Sequence, residues 1–247
     1  MFAQTIQCKI CGFDAEMFGA VDFSQNCPRV PLPATGVQVP YYRCANCKFL
    51  FTNLCDNWTQ DEFGEKIYND DYAIVDPDFS SKRPLELAEH FARLMQARKG
   101  ALRLLDYGGG TGVFAQDMCA RGFEAVSYDP FHDSDLAPSG EERFELLHCS
   151  EVIEHSPDPR AFVADMVRRM AEESAVYLST ALQPPDIEQI RLGWWYVGPR
   201  NGHISLFSQE SLSMLWTEHG FNFGCYDLFT HVAWRGQPPC LPALVGA

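Results

Sequence analysis

Ten cysteines occur in this 247-residue sequence, and four of them form two C-x-x-C pairs, "CKIC" and "CANC". Two thiolates that flank two residues can bind one metal ion from a tight turn, and two such turns complete the tetrahedral sulfur site that zinc prefers. We therefore expect a structural zinc site with the ligands Cys8, Cys11, Cys44 and Cys47. Four buried free thiols or a redox-active pair are the alternatives.

A second set of side chains with chemical potential combines carboxylates and imidazoles. Glu151, Glu154 and His155 lie in "SEVIEHSPDP", and His203 follows later in "PRNGHISLF". Spacing of three and four residues predicts that the first three share one face of a helical turn. A histidine with a pKa near neutrality can act as a general base or contact a substrate. The alternative is a helix start that places acids at its positive end, with a structural histidine.

Glycines form the third feature, in "LRLLDYGGGTGVFAQDM", where they occupy positions 108, 109, 110 and 112. Glycine is costly inside a strand or helix, so the cluster indicates that something approaches the backbone closely. Val113 stands where a dinucleotide fingerprint requires its third glycine, and no Lys-Ser or Lys-Thr follows, which excludes a phosphate-binding P-loop. The Asp129 carboxylate can accept hydrogen bonds from both hydroxyls of a ribose. A ribose contact without a diphosphate contact favours a nucleoside cofactor that lacks phosphates.

These residues need elements that bring them to one edge of a sheet. The sequence predicts a strand in "LRLLDYG", a helix in "VFAQDMCARG" and a strand in "FEAVSYD", which together open a parallel sheet. An amphipathic helix that Gly100 ends is predicted in "RPLELAEHFARLMQARKG". Open α/β sheets bind ligands at the carboxyl ends of their strands, where the glycines and Asp129 fall.

Composition excludes several classes of partner. Lys and Arg number 19 against 33 Asp and Glu, a formal net charge of −14. Such a chain repels nucleic-acid backbones and anionic lipid, so we expect neither as a partner. The N-terminus lacks the features of a signal peptide and no apolar run is long enough to span a bilayer. We expect a cytoplasmic protein whose cysteines are ligands and core residues rather than disulfides.

The glycine stretch "LLDYGGGTG", followed by "VSYDP", resembles motif I and the acidic end of the second strand in class I S-adenosylmethionine (SAM) methyltransferases. "RFELLHCSEVIEHSPDP" resembles the fourth strand of these enzymes and the segment after it. The resemblance implies a SAM-dependent methyltransferase whose glycine loop passes under the methionine and sugar portions of the cofactor. The implied cofactor-binding residues are Asp106, Gly108, Gly109, Gly110, Thr111, Gly112, Asp129, Pro130, Ser150 and Glu151.

One segment departs from that family pattern. The connection from Asp129 to Phe144 is too short for a crossover helix and a third strand. In the family, an acidic residue after strand three forms a hydrogen bond with the adenine amine. No residue is assigned to this role here, and Asp133 or Asp135 is the expected substitute.

The carboxylate and imidazole set is similar to the "ExxEH…H" arrangement of metal-assisted O-methyltransferases that act on ubiquinone precursors and small RNA. The resemblance implies Mg²⁺ or Mn²⁺ at Glu151, Glu154, His155 and His203, where the ion would lower the pKa of an acceptor hydroxyl. This metal site is a third interpretation of the cluster, beside the base and the structural turn.

A zinc module joined to a methyltransferase domain resembles sugar and nucleotide-sugar methyltransferases. It implies methyl transfer to a sugar, nucleotide-sugar or polysaccharide precursor. Trp194, Trp195 and Tyr196 could stack on such an acceptor or belong to the core, and Arg191 and Arg200 could contact an anionic group. The alternatives are an NAD(P)-dependent oxidoreductase and a non-catalytic SAM- or zinc-binding interaction protein. The sequence does not indicate an oligomeric state.

The expected fold class is α/β, with a Rossmann-like, mostly parallel sheet, helices on both faces and a small zinc-ribbon-like module at the N-terminus. The expected segments are a zinc-binding module at 1–56, a helical linker or lid at 57–99, the SAM-binding domain at 100–236 and a tail at 237–247.

Overall fold

The computed structural model describes residues 2–132, 137–138 and 140–236. Contacts divide these residues into two compact units, each assembled from several stretches of chain. Unit 1 contains residues 2–77, 153–162 and 180–215, and unit 2 contains the described residues of 78–152, 163–179 and 216–236. The continuous segments expected from the sequence stay a prediction, and the expected tail at 237–247 lies outside the described residues.

Eleven strands and seven α-helices make up the regular structure of the described residues. The strands are β1 (Thr5–Gln7), β2 (Asp14–Asp22), β3 (Gln38–Cys44), β4 (Leu50–Phe51), β5 (Arg103–Tyr107), β6 (Glu124–Tyr128), β7 (Phe144–Ser150), β8 (Met170–Ser179), β9 (Ser205–Leu206), β10 (Asn222–Cys225) and β11 (Thr230–Arg235). The helices are α1 (Gln60–Lys66), α2 (Tyr72–Val75), α3 (Lys82–Leu94), α4 (Val113–Ala120), α5 (Pro159–Arg168), α6 (Ile187–Ile190) and α7 (Gln209–Thr217). In the described part of the chain, no helix has the length and apolar character that a bilayer crossing requires.

Unit 2 is built on a six-stranded mixed sheet with the order β10-β11-β8-β7-β5-β6. Strands β6, β5, β7 and β8 pair in parallel, and β11 and β10 complete the sheet in antiparallel register. The predicted opening of strand, glycine turn, helix and strand is confirmed as β5, α4 and β6. The sheet is mixed, because the chain returns through a hairpin at its β8 edge.

The core of unit 2 explains why these segments adopt their structures. Apolar residues at helical spacing along α3, among them Ala88 and Phe91, meet Phe114 and Met118 of α4 and Leu104 of β5 in one buried cluster. Burying apolar surface in this way is the main source of stability for such an arrangement. The cluster therefore fixes α4, and with it the end of the loop that leads into the helix.

The connection after β6 agrees with the departure noted in the sequence. The described residues between β6 and β7, which are 129–132, 137–138 and 140–143, contain no strand. Asp133 and Asp135, the expected substitutes for an adenine-reading acid, lie outside the described residues.

Unit 1 contains a five-stranded antiparallel sheet with the order β1-β2-β3-β4-β9. Its last strand, β9, comes from residues 205–206, far along the chain from the other four. The N-terminal cysteine segment therefore shares its sheet with a strand from later in the chain, and the zinc-ribbon-like module expected from the sequence stays a prediction. A two-residue strand carries no periodic pattern, so its pairing is set by tertiary contacts.

Candidate functional site

The glycine loop connects β5 to α4, and the structure shows why it needs glycine. A Cβ atom on Gly109 would lie 2.2 Å from Asp106 Oδ2 and 2.3 Å from Ser127 Oγ. At Gly110, φ is +55°, a left-handed conformation that favours glycine, and no atom lies within 4 Å of the position that a Cβ would take. The protein itself thus packs closely under Gly109, whereas the backbone at Gly110 is open to an approaching molecule.

Asp129 follows β6 and is hydrogen-bonded to the glycine loop. One carboxylate oxygen accepts from Gly110 N at 2.9 Å, and the other accepts from Phe131 N at 2.8 Å and lies 3.4 Å from His132 Nδ1. A carboxylate has about four lone-pair directions, so these contacts leave room for a ligand hydroxyl. Asp129 therefore shapes the loop and keeps the capacity for the ribose contact predicted from the sequence. Two other predicted contacts, Thr111 and Pro130, are exposed.

Asp106 lies beneath the loop, in a hydrogen-bonded chain that the sequence analysis missed. Its Oδ1 is 3.0 Å from His148 Nδ1, and His148 Nε2 is 2.9 Å from the hydroxyl of Ser150. Asp106 and His148 are both buried, and burial raises the pKa of the Asp106 carboxyl while the His148 hydrogen bond lowers it. The alternation of side chains along a strand places His148 and Ser150 on one face of β7, and this could be read from the sequence. The contact of His148 with Asp106 could not, because it depends on the sheet register that pairs these two residues.

The second candidate site lies in unit 1, where Glu154, His155 and His203 converge. One potential ligand atom from each lies within 4.8 Å of those of the other two. Glu154 is fully buried, and its carboxylate accepts a hydrogen bond of 2.5 Å from the Tyr196 hydroxyl. The structure thus brings together three of the four residues predicted for this cluster.

Both histidines of this group are oriented by backbone carbonyls. His155 Nδ1 donates to Gly202 O at 3.1 Å, and His203 Nδ1 donates to Tyr196 O at 2.9 Å. Because a carbonyl only accepts, these bonds place the proton of a neutral ring on Nδ1 and its lone pair on Nε2. This tautomer suits a base and also suits a metal ligand, whose other ring nitrogen commonly donates to a carbonyl.

Glu151 does not share a helical face with Glu154 and His155, so that expectation was wrong. The helical turn is a short 3-10 turn that begins only at Ile153. Glu151 itself has a left-handed φ of +56°, and its N–H donates to Ser179 O at 2.9 Å. The conformation at Glu151 interrupts the periodicity on which the helical spacing depended. Its carboxylate accepts from the Ser179 hydroxyl at 3.4 Å and is not part of the three-residue group.

The four paired cysteines form the other potential metal-binding group. Their sulfurs lie 3.6 Å apart for Cys8 and Cys47, 3.4 Å for Cys11 and Cys44, and 3.5 Å for Cys11 and Cys47. Sulfurs around a tetrahedral zinc ion with bonds of about 2.3 Å would be about 3.8 Å apart. The cluster therefore has nearly the dimensions of a zinc site. The hydrogen bond with Cys47 lowers the pKa of the Cys8 thiol to about 5 and raises that of Cys47, as expected for thiols packed this closely.

The two cysteine turns have matching backbone structure. Cys8 N donates to Phe13 O at 2.8 Å, and Cys44 N donates to Phe49 O at 2.9 Å. The residue after each pair is left-handed, with φ of +74° at Gly12 and +62° at Lys48. Both C-x-x-C motifs therefore present their sulfurs from the same kind of turn.

Hydrogen bonds join the first cysteine turn to the segment that carries Glu154 and His155. Lys9 Nζ donates to Pro157 O at 3.0 Å, and Arg160 Nη1 donates to Ile10 O at 2.8 Å. Within unit 1, the order of the cysteine cluster and the position of the second candidate site thus depend on shared contacts.

The aromatic and arginine residues predicted as acceptor contacts divide into two groups. Trp194 and Tyr196 are buried in the core, whereas Trp195 is 47% exposed. Arg200 donates to Ile67 O at 2.7 Å and to Asn69 Oδ1 at 2.8 Å. Arg191 donates to Phe18 O. Both guanidinium groups are engaged by the protein itself, so the expectation that they bind an acceptor anion gains no support from their positions.

The glycine loop and its mixed sheet together have the arrangement expected of an α/β protein of the methyltransferase class. A family model described as "Methyltransferase domain" matches residues 79–224, more than half of the chain. The chain belongs to this family and carries a SAM-dependent methyltransferase domain.

Two curated relatives are named ubiquinone biosynthesis O-methyltransferase. The protein from Alkalilimnicola ehrlichii is 30% identical over 125 residues, which cover 41% of this chain and 50% of that protein. The protein from Neisseria meningitidis is 27% identical over 108 residues, 34% of this chain and 45% of that protein. The chain spans about half the length of the curated relatives it matches.

Among solved structures, magnesium protoporphyrin IX methyltransferase from Synechocystis PCC 6803 with bound S-adenosylhomocysteine is similar with a TM-score of 0.47. It is 15% identical, over 74% of this chain and 97% of that one. An O-methyltransferase family protein from Burkholderia thailandensis has a TM-score of 0.49 and 9% identity, over 73% and 60% of the two chains.

The packing under the loop predicts the effect of adding one methyl group. Gly109→Ala should lower the free energy of unfolding by about 1–3 kcal/mol, because the new Cβ must displace buried atoms of Asp106 and Ser127. Urea unfolding followed by circular dichroism measures this change. The control is Gly64→Ala in α1, where nothing lies within 4 Å of the added atom. Equal stability of Gly109→Ala and the wild type would show that the loop is not packed as described.

Proposed function

We propose that this protein transfers the methyl group of SAM to a hydroxyl oxygen of a small, sugar-like acceptor. In this reaction the acceptor oxygen bonds to the methyl carbon, the carbon–sulfur bond breaks, and S-adenosylhomocysteine leaves. The hydroxyl proton must pass to a base or to solvent. The observation that carries the proposal is the convergence of Glu154, His155 and His203 in a chain of the methyltransferase family.

The glycine loop and the ends of β6 and β7 supply the proposed cofactor site. The backbone at Gly110 is open, so the methionine and sugar portions of SAM can lie against residues 108–112. Asp129 accepts from the ribose hydroxyls, while Ser150 and Glu151 lie at the end of the neighbouring strand. Asp106 supports the loop from beneath, since it is buried and bonded to His148.

Acceptor activation is assigned to the cluster in unit 1. The lone pair on Nε2 of His155 or His203 can take the proton of the acceptor hydroxyl. Two imidazoles and one carboxylate also fit a divalent ion of the Mn²⁺ type better than Mg²⁺, which prefers oxygen ligands. When bound, such an ion would lower the pKa of the hydroxyl. In either case Tyr196 holds the carboxylate of Glu154 in place.

Three observations support a small acceptor with hydroxyl groups. Two relatives are named ubiquinone biosynthesis O-methyltransferase, and an O-methyltransferase methylates an oxygen. The net charge of −14 disfavours nucleic acid. The exposed ring of Trp195 offers a face on which a sugar could stack, and Tyr68 packs edge-on against His155 with ring centroids 6.0 Å apart.

The proposal includes a structural zinc ion at the four cysteines. The sulfur spacing and the matched turns support it, and four thiolates leave no open position for chemistry. We place the chain in a reducing, cytoplasmic compartment, where thiolates stay available as metal ligands.

The acceptor proposal predicts a specific pattern of activity. Incubation of the full chain with SAM and a panel of free sugars, nucleotide sugars and phenols should yield S-adenosylhomocysteine with the sugars. His155→Gln should lower the rate by about a hundredfold or more, because a general base typically contributes that much. His90→Gln changes an exposed histidine of α3 and serves as the control.

Treatment with a chelator distinguishes activation of the acceptor by a metal ion from activation by a histidine base. Loss of activity that Mn²⁺ restores supports the ion-assisted form, and full activity without divalent ions supports His155 or His203 as the base. Equal rates for His155→Gln and His90→Gln would contradict the role of the cluster. Methylation of phenols alone would contradict the sugar-like acceptor.

The zinc proposal predicts one equivalent of zinc in the purified chain and none in Cys11→Ser. Because the ion would hold two turns together, the variant should also lose thermal stability. Cys119→Ser replaces an exposed cysteine outside the cluster and should keep both properties. Elemental analysis that finds neither zinc nor iron in the wild type would refute the proposal.

A further inference from the structure

The first cysteine turn is bonded to residues 154–157, which we call the first histidine segment. Lys9 of the first C-x-x-C motif donates from Nζ to Pro157 O at 3.0 Å. The same ammonium donates to Thr52 O at 3.0 Å and to the Asp56 carboxylate. An ammonium has three N–H donors, so these three acceptors occupy all of them. Lys9 therefore holds the end of the first histidine segment at a fixed distance from the turn.

The second cysteine turn is bonded to residues 202–206, the second histidine segment. Gln183 Nε2 donates to Lys48 O at 2.7 Å and to Leu206 O at 3.0 Å. Lys48 directly follows the second C-x-x-C motif. The amide oxygen of Gln183 accepts from Arg43 Nε at 3.0 Å, so both ends of the amide are engaged. One side-chain amide thus joins this turn to the second histidine segment.

The two histidine segments are also bonded to each other. Ile204 N donates to Glu154 O at 3.0 Å, and His155 Nδ1 donates to Gly202 O at 3.1 Å. The second of these bonds places the proton of the neutral imidazole on Nδ1. The tautomer of His155 therefore depends on the position of one segment relative to the other.

The cysteine sulfurs complete a closed ring of contacts within unit 1. Cys11 Sγ lies 3.4 Å from Cys44 Sγ, so the two turns also meet directly. The ring runs from the first turn through Lys9 to the first histidine segment, across to the second segment, and back through Gln183 to the second turn. Each member is bonded to two neighbours, so loss of one link changes the constraint on all the others.

We propose that Lys9 and Gln183 are positioning residues for acceptor activation. Through the cysteine turns they fix the two histidine segments relative to each other, and with them the bond that keeps the proton of His155 on Nδ1. The Nε2 lone pair then stays available to take the acceptor proton or to bind a divalent ion. This inference rests on the proposed function. Both residues act through the histidine segments and not on the acceptor itself.

The tautomer of His155 gives a readout that does not depend on methyl transfer. In nitrogen-15 spectra of the histidine rings, a nitrogen with a proton and one with a lone pair have widely separated shifts. The wild type, measured without added divalent ions, should show the Nδ1–H form at His155, and His155→Gln identifies these signals by their absence.

Gln183→Glu opens the ring with an isosteric change. Glutamate keeps an oxygen for Arg43 and loses both N–H donors, so the His155 signals should move toward the average of two exchanging tautomers. The control is Gln189→Glu, which adds the same charge to an exposed side chain of the same unit and should leave the spectrum unchanged.

Lys9→Met opens the ring at the other turn and tests the effect on catalysis. Methionine keeps an apolar stem and loses every donor, so kcat should fall at least about tenfold while the KM for SAM changes less than about twofold. Lys9→Arg retains the charge and N–H donors and should keep most of the wild-type kcat. Lys82→Met removes an exposed lysine that pairs with Asp78 at 2.9 Å and serves as the control.

The double variant separates positioning from a merely structural role. Lys9→Met combined with Gln183→Glu should have the kcat of the slower single variant, because both changes open the same ring. Two independent structural losses would instead multiply. If Lys9→Met does not fold, the His155 signals of Gln183→Glu decide.

The outcomes distinguish this inference from the function on which it rests. A wild type that methylates no acceptor would overturn the proposed function, and with it the role of Lys9 and Gln183 in activation. An active wild type whose His155 signals and kcat are the same in Gln183→Glu and Gln189→Glu would overturn the positioning role alone.

Discussion

The buried carboxylate of Asp106 constrains the end of the sheet at which the cofactor is proposed to bind. It lies at the end of β5, where one oxygen is bonded to His148 and the other lies directly under Gly109. A buried carboxylate is costly unless hydrogen bonds satisfy it, so its neighbours have little freedom to change. The loop must have glycine above it, and the neighbouring strand must supply a donor. The shape of the open backbone at Gly110 follows from these requirements.

Unit 1 is held together by a sheet and by hydrogen bonds that join distant stretches of the chain. Its sheet takes four strands from the N-terminal segment and a fifth from residues 205–206, and its cysteine turns bond to the segment that carries Glu154 and His155. A metal ion at the cysteines would add to the stability of this region, because it would hold the two cysteine turns together. The same contacts that order the turns therefore hold the groups proposed to activate the acceptor.

The sequence revealed those features whose signal is local. The strands and helix around the glycine loop were predicted from apolar runs and turn residues, and the cysteine cluster from its paired spacing. His148 was missed because its partner, Asp106, lies on another strand and only the register brings them together. The helical face expected for Glu151 is absent, because this residue has a left-handed φ and bonds to Ser179 of the neighbouring strand, and the local pattern encodes neither feature.

Calorimetric titration of S-adenosylhomocysteine against the wild type and Asp129→Asn tests the cofactor placement most directly. Asparagine retains one oxygen for Gly110 N but loses the charge that would hold the ribose hydroxyls. The account predicts micromolar binding that weakens at least tenfold in the variant. Asp227→Asn, which alters another turn-capping aspartate of the same unit, should bind as the wild type does. Equal affinity of Asp129→Asn and the wild type would contradict the account.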